Sequence, residues 1–335
     1  MTSVLLRRGS VIESRHRIHL AVVDATGRRE AFAGDPEFVT FLRSAAKPMQ
    51  AIPLVEDGVV DGFGISTEEL ALCCGSHGGE PAHLQGVRNL LARCDLDEAA
   101  LACGALRPMS DSAAHALLAS GGSATAIHNN CSGKHAGMLA LARHRGWSIE
   151  GYTRPEHPVQ RRMRREVARW TDLDEDRLHT GVDGCGVVCF GMTIEEMARG
   201  YARLGSAARD GASGPRAVVD AMVAHPFMVA GTGRLCTRLM EATSGRIFAK
   251  VGAEGVYCAG VREGGLGIAV KAEDGARRAA EVAVLRALEL LGLLSPSVRE
   301  ALADDLRVPI RNARGEIAAV LEADFELIRD GSSGN

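Results

Sequence analysis

Between residues 245 and 275 the chain reads GRIFAKVGAEGVYCAGVREGGLGIAVKAEDG, three β-prone runs separated by glycine-rich turns. β-branched and aromatic residues suit a pleated chain and glycine supplies tight reversals, so this stretch predicts an antiparallel meander. A meander needs more sheet beside it and a layer packed over it. The N-terminus offers the sheet: in RIHLAVVDATGRREAFAG two β-prone runs flank an Asp-Ala-Thr-Gly turn. GEIAAVLEADFEL, near the C-terminus, predicts a last strand. GARRAAEVAVLRALELLGLL reads as a long helix, followed by a shorter one in SPSVREALADDL.

The pattern from about residue 44 to 244 is mostly helical. QRRMRREVARW and TIEEMARGYARL have amphipathic spacing, the second with Thr193 as cap and Glu196 three residues on. Strands at both ends and helices between predict an α+β fold in a single catalytic domain, 1–335. Its sheet-bearing part covers about 1–43 and 245–330, and the mainly helical part about 44–244. The closing RDGSSGN reads as a frayed tail.

With 335 residues, 46% of them apolar and 24% charged, the chain has the profile of a globular protein with a real core. A net charge of −3 argues against a nucleic-acid surface or a polybasic membrane patch, and QRRMRR reads as a solvated helix face. No run approaches a membrane span, and the N-terminus lacks the apolar stretch of a signal peptide. Nine scattered cysteines are an odd number and form no disulfide framework. The expectation is a cytoplasmic protein, with neither nucleic acid nor membrane as partner.

Five stretches carry chemistry. In FLRSAAKPMQ, Ser44 and Lys47 are three residues apart, which puts hydroxyl and amine on one helical face. A desolvated lysine can take a serine's proton, and a first helical turn aims N–H groups at an oxyanion. The same spacing also suits an ordinary helix start, with Pro48 tolerated early. In LCCGSHGGE, Ser76 and His77 lie among glycines, either a plain surface turn or an exposed hydroxyl beside a ligand. A Ser–His–Asp triad through His77 ranks below a lysine-based system, because sequence neighbours point different ways. HNNCSGKHAG packs two amides, a thiol, a hydroxyl, a lysine and two imidazoles into ten residues. TGVDGCGVVCFG holds Asp183 and Cys185 in glycine. Cys131 and Cys185 could bind a borderline cation such as zinc, although no Cys-x-x-Cys or His-Glu-x-x-His supports it. Cys73, Cys74 and Cys189 read as small buried apolar side chains. Last, Lys250-Val251-Gly252 ends a β run. A Lys-x-Gly strand after an upstream Ser-x-x-Lys is the order found in serine β-lactamases and penicillin-binding proteins.

Taken jointly, RSAAKPMQ, CCGSHGGE, NNCSGKHAGML, GVDGCGV, HPFMVAGTGR and KVGAEGVY resemble the rhizobial-type L-asparaginases, which are serine–lysine amidohydrolases. The resemblance implies a serine β-lactamase/penicillin-binding-protein-like fold, a homodimer, and hydrolysis of L-asparagine to aspartate and ammonia. It implies Ser44 as nucleophile with Lys47 beside it, and Ser76 paired with Lys250 as a second couple. Lys271 is the other lysine that could fill that last place. Cys131, Lys134 and Cys185 match the family's zinc positions. Arg43, His135 and Asp183 lie in its substrate-facing stretches, with Asp183 suited to an α-ammonium. The Ala253 amide would complete an oxyanion hole. A glutaminase or broader amidase could use the same apparatus, and a β-lactam- or peptidoglycan-binding serine protein is the rival from another class. So is a metal-dependent binding module without catalysis.

Overall fold

A computed structural model describes residues 2–330; the expected frayed tail, apart from Arg329 and Asp330, lies outside the described residues. In chain order the strands are β1 Ser3–Arg8, β2 Val11–Val23, β3 Arg29–Ala33, β4 Val39–Phe41, β5 His179–Val182, β6 Val188–Thr193, β7 Ile247–Val251, β8 Val256–Val261, β9 Leu266–Ala272, β10 Arg307–Arg311, β11 Ile317–Asp324 and β12 Ile328–Arg329. The chain divides into two compact units. One comprises the N-terminal segment to Ala45, Met192–Ser206 and the chain from Arg238; the other comprises Ala46–Gly191 and Ala207–Thr237.

The first unit is built on a nine-stranded sheet in the order β10–β11–β1–β2–β9–β8–β7, with β3 on β2 and β12 on β3. The N- and C-terminal segments interleave: Ser3 pairs with Asp324, and Leu20 pairs with Val270, both antiparallel. The meander is β7–β8–β9, as expected, with Lys250 opposite Cys258 and Val256 opposite Lys271. Strand β2 changes character along its length. Its first residues are mostly exposed and its last six wholly buried, because there both neighbours, β3 and β9, are present. The helix Arg277–Leu290 packs on β8, β9 and β11 through Val282, Leu285 and Leu288, all buried. Each such side chain contributes about 1.5–3 kcal/mol by leaving water.

Two strands of this sheet lie outside the sequence expectation. β10 contains Pro309, which lacks an amide hydrogen and argues against a strand; at the end of the sheet, paired only with β11, that loss is tolerated. β12 is two residues long, too short for any periodicity. The helix expected in SPSVREALADDL is broken at Leu302 into Pro296–Ala301 and Ala303–Leu306.

The second unit is mostly helical. The helix Lys47–Glu56 packs against Ser213–Ala224, Pro158–Thr171 and Ser132–His144. Ser132–His144 is buried from Ser132 to Ala142, so it is a core helix rather than an amphipathic one. Pro158–Thr171 carries QRRMRR, and part of that basic face is engaged: Arg162 bonds Asp57 and the buried Glu166. The helical expectation for 44–244 is interrupted by a hairpin, β5 pairing with β6 through Val182 and Val188. Its glycine-rich turn masked the flanking strands. All nine cysteines are buried and none is joined in a disulfide.

Candidate functional site

Ser44 belongs to the first unit. It lies in a 3-10 turn, Arg43–Ala46, that runs directly into the helix beginning at Lys47. Pro48 falls in that helix's first turn, where the missing amide hydrogen is harmless. Arg43 has a left-handed backbone, φ +51°, unusual for a residue with a side chain. Strain of this kind costs of order 1–3 kcal/mol and persists only where surroundings hold it. The end of β7 comes close to the same turn. A Cβ on Gly252 would sit 2.9 Å from Leu42 O, so only glycine fits there. Within the first unit, then, the Ser44 turn and the Lys-x-Gly strand are neighbours. Ala253 is exposed and lies past the strand, in the β7–β8 turn.

Lys250 is fully buried and its Nζ donates to Val251 O at 2.9 Å. Its register partner Cys258 has a thiol pushed up by burial, only partly offset by the nearby Lys250 charge. Lys271 is held differently. Its Nζ donates to the carbonyls of Glu254 (2.8 Å), Ala272 and Glu273 (3.4 Å). Burial moves its pKa down, against the pull of Glu254, Asp274 and Glu273.

In the second unit Lys47 is wholly buried. Its Nζ donates to Gly75 O, to Ser76 Oγ at 3.0 Å and to Asn130 O at 3.5 Å. The loop carrying Ser76 is fixed by its own backbone: Ser76 N–H donates to Val229 O at 2.8 Å, and His77 N–H to Asn130 O at 3.2 Å. The His77 ring points to another serine. Its Nδ1 accepts from Gly79 N–H, so Nε2 carries the hydrogen and donates to Ser132 Oγ at 2.9 Å. Ser132 in turn donates to Ile127 O. Burial, then the nearby His83 and Lys47, push the His77 pKa well down, so the ring is neutral. The structure therefore pairs Ser76 with a lysine and His77 with Ser132.

A second polar cluster follows along the same unit. Lys134 Nζ lies 3.1 Å from Cys185 Sγ and 3.7 Å from Asp183 Oδ2. The Cys185 thiol hydrogen-bonds Cys131, which lowers the Cys131 pKa well below an ordinary thiol, with Lys47 and Lys134 helping. The same bond drives the Cys185 pKa up. Burial pulls the Lys134 pKa down, but Cys131, Cys185 and Asp183 outweigh it and the group stays an ammonium. Two thiols are donors of the kind a borderline cation takes, and an amine joins them only when neutral. Among the described residues no group of three or more histidine, cysteine or carboxylate side chains is gathered as a metal cage. An ion would have to displace the protons of Cys185 and Lys134.

His135 is fully buried, next to Lys134 in sequence, and senses Lys134, Lys47 and Asp183. Tyr152 OH accepts from Ala102 N–H at 2.9 Å, so its hydrogen goes to His135 Nδ1 at 2.7 Å. His135 must then carry its hydrogen on Nε2, and that buried nitrogen has no protein partner. A buried donor left open is a place for a ligand acceptor. Sequence reasoning missed Tyr152. The chain has three tyrosines and all are among its largest fully buried side chains, a scarcity that could have drawn attention to each. The two asparagines of NNCSGK divide their work: the Asn129 side chain ties Cys131 N–H to the carbonyls of Cys103 and Gly104, while the Asn130 backbone carbonyl serves Lys47 and His77.

A sequence model of the family described as L-asparaginase II matches residues 4–323. No curated protein matches the chain. Among solved structures, it is similar to a β-lactamase from Mycobacterium bovis, at 16% identity, with 83% of this chain and 95% of that chain covered and a TM-score of 0.44. It is also similar to Mglu in its native form in 4.3 M NaCl, at 14% identity, with 87% of this chain and 61% of that chain covered and a TM-score of 0.38.

Proposed function

The chain belongs to the L-asparaginase II family and is an asparaginase-type amidohydrolase, and from that premise we propose that it is a rhizobial-type L-asparaginase, converting L-asparagine to L-aspartate and ammonia through Ser44. The observation that carries the reading is the buried Lys47, with its Nζ 3.0 Å from Ser76 Oγ. A lysine hydrogen-bonded to a hydroxyl in a closed environment is equipped to move protons.

Lys47 takes the proton of Ser44 as Ser44 Oγ attacks the side-chain amide carbon. The N–H groups of Ser44 and Ala253 stabilise the oxyanion, each such donor contributing about 2.7–4 kcal/mol. Ser76, assisted by Lys250, passes its proton to the departing nitrogen; the C–N bond breaks and ammonia leaves. Lys47 restores the Ser76 proton. Water then attacks the acyl-enzyme with Lys47 again as base, and aspartate departs as Ser44 recovers its hydrogen. Asp183 receives the α-ammonium, while Arg43 and the open Nε2–H of His135 face the rest of the substrate. Cys131, Lys134 and Cys185 would hold a zinc ion, which would shape the substrate pocket rather than activate water. The two units serve one catalytic domain, and the active form is a cytoplasmic homodimer. The deciding experiment is ammonia release from asparagine by wild type and Ser44→Ala, with and without a chelator. Folded Ser44→Ala with near-normal turnover would refute the covalent scheme.

A further inference from the structure

We propose that Tyr201 is a positioning residue for Ser44, holding the turn that carries the nucleophile in register with the strand that carries Lys250. The proposal rests on Ser44 being the nucleophile. Tyr201 lies on the helix Ile194–Arg209, in a stretch whose sequence reads as an ordinary amphipathic helix, yet it is fully buried. A buried tyrosine hydroxyl needs an acceptor. Its O–H donates to Ala45 O at 2.7 Å, the carbonyl of the residue directly after Ser44.

That turn needs holding. Arg43, directly before Ser44, has φ +51°, and a left-handed residue with a side chain persists only where neighbours over-determine it. Within the turn Ala45 N–H donates to Leu42 O at 3.1 Å. Tyr201 adds a second tie on the Ala45 carbonyl. The other face of the same ring stacks on Phe248, with centroids 5.5 Å apart and planes 12° apart. Phe248 is on β7, two residues before Lys250. The stack is close against β8: a Cβ on Gly260 would come within 2.3 Å of the Phe248 ring and 2.9 Å of Tyr201 O. One side chain thus grips strand β7 with its ring and the Ser44 turn with its hydroxyl. The contact of Leu42 O against Gly252 closes the same arrangement from the end of β7. Phenylalanine would keep the stack and release the turn.

Tyr201→Phe is the test, with Leu204→Ala, a buried cavity variant on the same helix, as the control for lost stability. Tyr201→Phe should lower kcat for asparagine about 10- to 100-fold with KM changed by less than about threefold, the effect of an ångström-scale misplacement. Leu204→Ala, assayed well below its melting temperature, should keep kcat within about threefold of wild type. Wild-type kcat in Tyr201→Phe, or an equal loss in Leu204→Ala, overturns the proposal. If Tyr201→Phe does not fold, Phe248→Leu, which keeps the hydroxyl but removes its support, is read by the same criterion. Ser44→Ala run alongside separates the two ideas. Turnover surviving in Ser44→Ala removes the nucleophile itself and the proposal with it; an inactive Ser44→Ala beside an unaffected Tyr201→Phe removes only the positioning role.

Discussion

Lys47 and Lys271 are both buried lysines whose Nζ donates to backbone carbonyls, yet their surroundings differ in one respect. Lys271 faces three carbonyl oxygens, those of Glu254, Ala272 and Glu273. Lys47 faces two, those of Gly75 and Asn130, and in the third direction the hydroxyl of Ser76. A carbonyl can steady an ammonium but has no proton to exchange. A hydroxyl accepts the hydrogen bond and also gives and receives protons. Burial alone therefore does not separate a structural lysine from a reactive one; the composition of its cage does. By that criterion Lys271 closes the β7–β8 turn onto β9.

Replacing the two lysines in turn puts this contrast at risk. Lys47→Met removes the proposed base and should lower kcat by about 10⁴-fold, the upper end of what proton transfer contributes. Ser76→Ala keeps Lys47 but breaks the relay to the leaving nitrogen, for a loss of about 10²-fold. Lys271→Met should leave kcat within about threefold while lowering stability by about 1–3 kcal/mol, because buried carbonyls lose their donor. Steady-state ammonia release and urea unfolding measure both quantities for each variant. If Lys271→Met lost more turnover than Ser76→Ala, Lys271 would replace Lys250 in the second couple and the cage argument would fail.

What the sequence made legible follows the range of the interactions involved. The β2–β3 turn announces itself locally: Asp24 Oδ1 accepts from Thr26 N–H and from Arg28 N–H, all within five residues. So does the start of the Ile194–Arg209 helix, where Thr193 and Glu196 cap each other at 3.2 and 2.8 Å. The edge strand β10 was hidden because Pro309 is acceptable only where a neighbour is missing, which a one-dimensional pattern cannot reveal. For the site, the i to i+3 spacing of Ser44 and Lys47 was visible, whereas the bond from Lys47 to Ser76 spans 29 residues. Lys134 reaches Cys185 across 51 residues. Only resemblance to a family brought those residues into one list, and it was silent on Tyr152, Tyr201 and the left-handed Arg43. Each of these is a matter of backbone geometry or of a buried hydroxyl, and neither leaves a local mark.

The smallest expected effect on turnover, and one that separates the loop Lys47 holds from the turn Lys271 closes, is in acid stability. His77 adjoins Ser76, and its pKa is pushed well below 6.5 by burial, then by the nearby His83 and Lys47. A histidine kept neutral in the fold but free to protonate when unfolded contributes stability fully above about pH 6.5. That contribution falls away as pH drops below 6.5 towards the folded value, because the unfolded chain gains a proton the fold refuses. His135 is shifted in the same direction, with burial and then Lys134 as the leading causes. Each should remove about 1.4 kcal/mol per pH unit in that window. Urea midpoints at pH 7.5 and 5.5 should therefore differ clearly in the wild type. His77→Gln removes one of the two rings that resist protonation, so its loss between the same two pH values should be smaller, while Lys271→Met should follow the wild type. Equal losses in all three proteins would mean that the fold does not keep the His77 ring neutral beside Ser76.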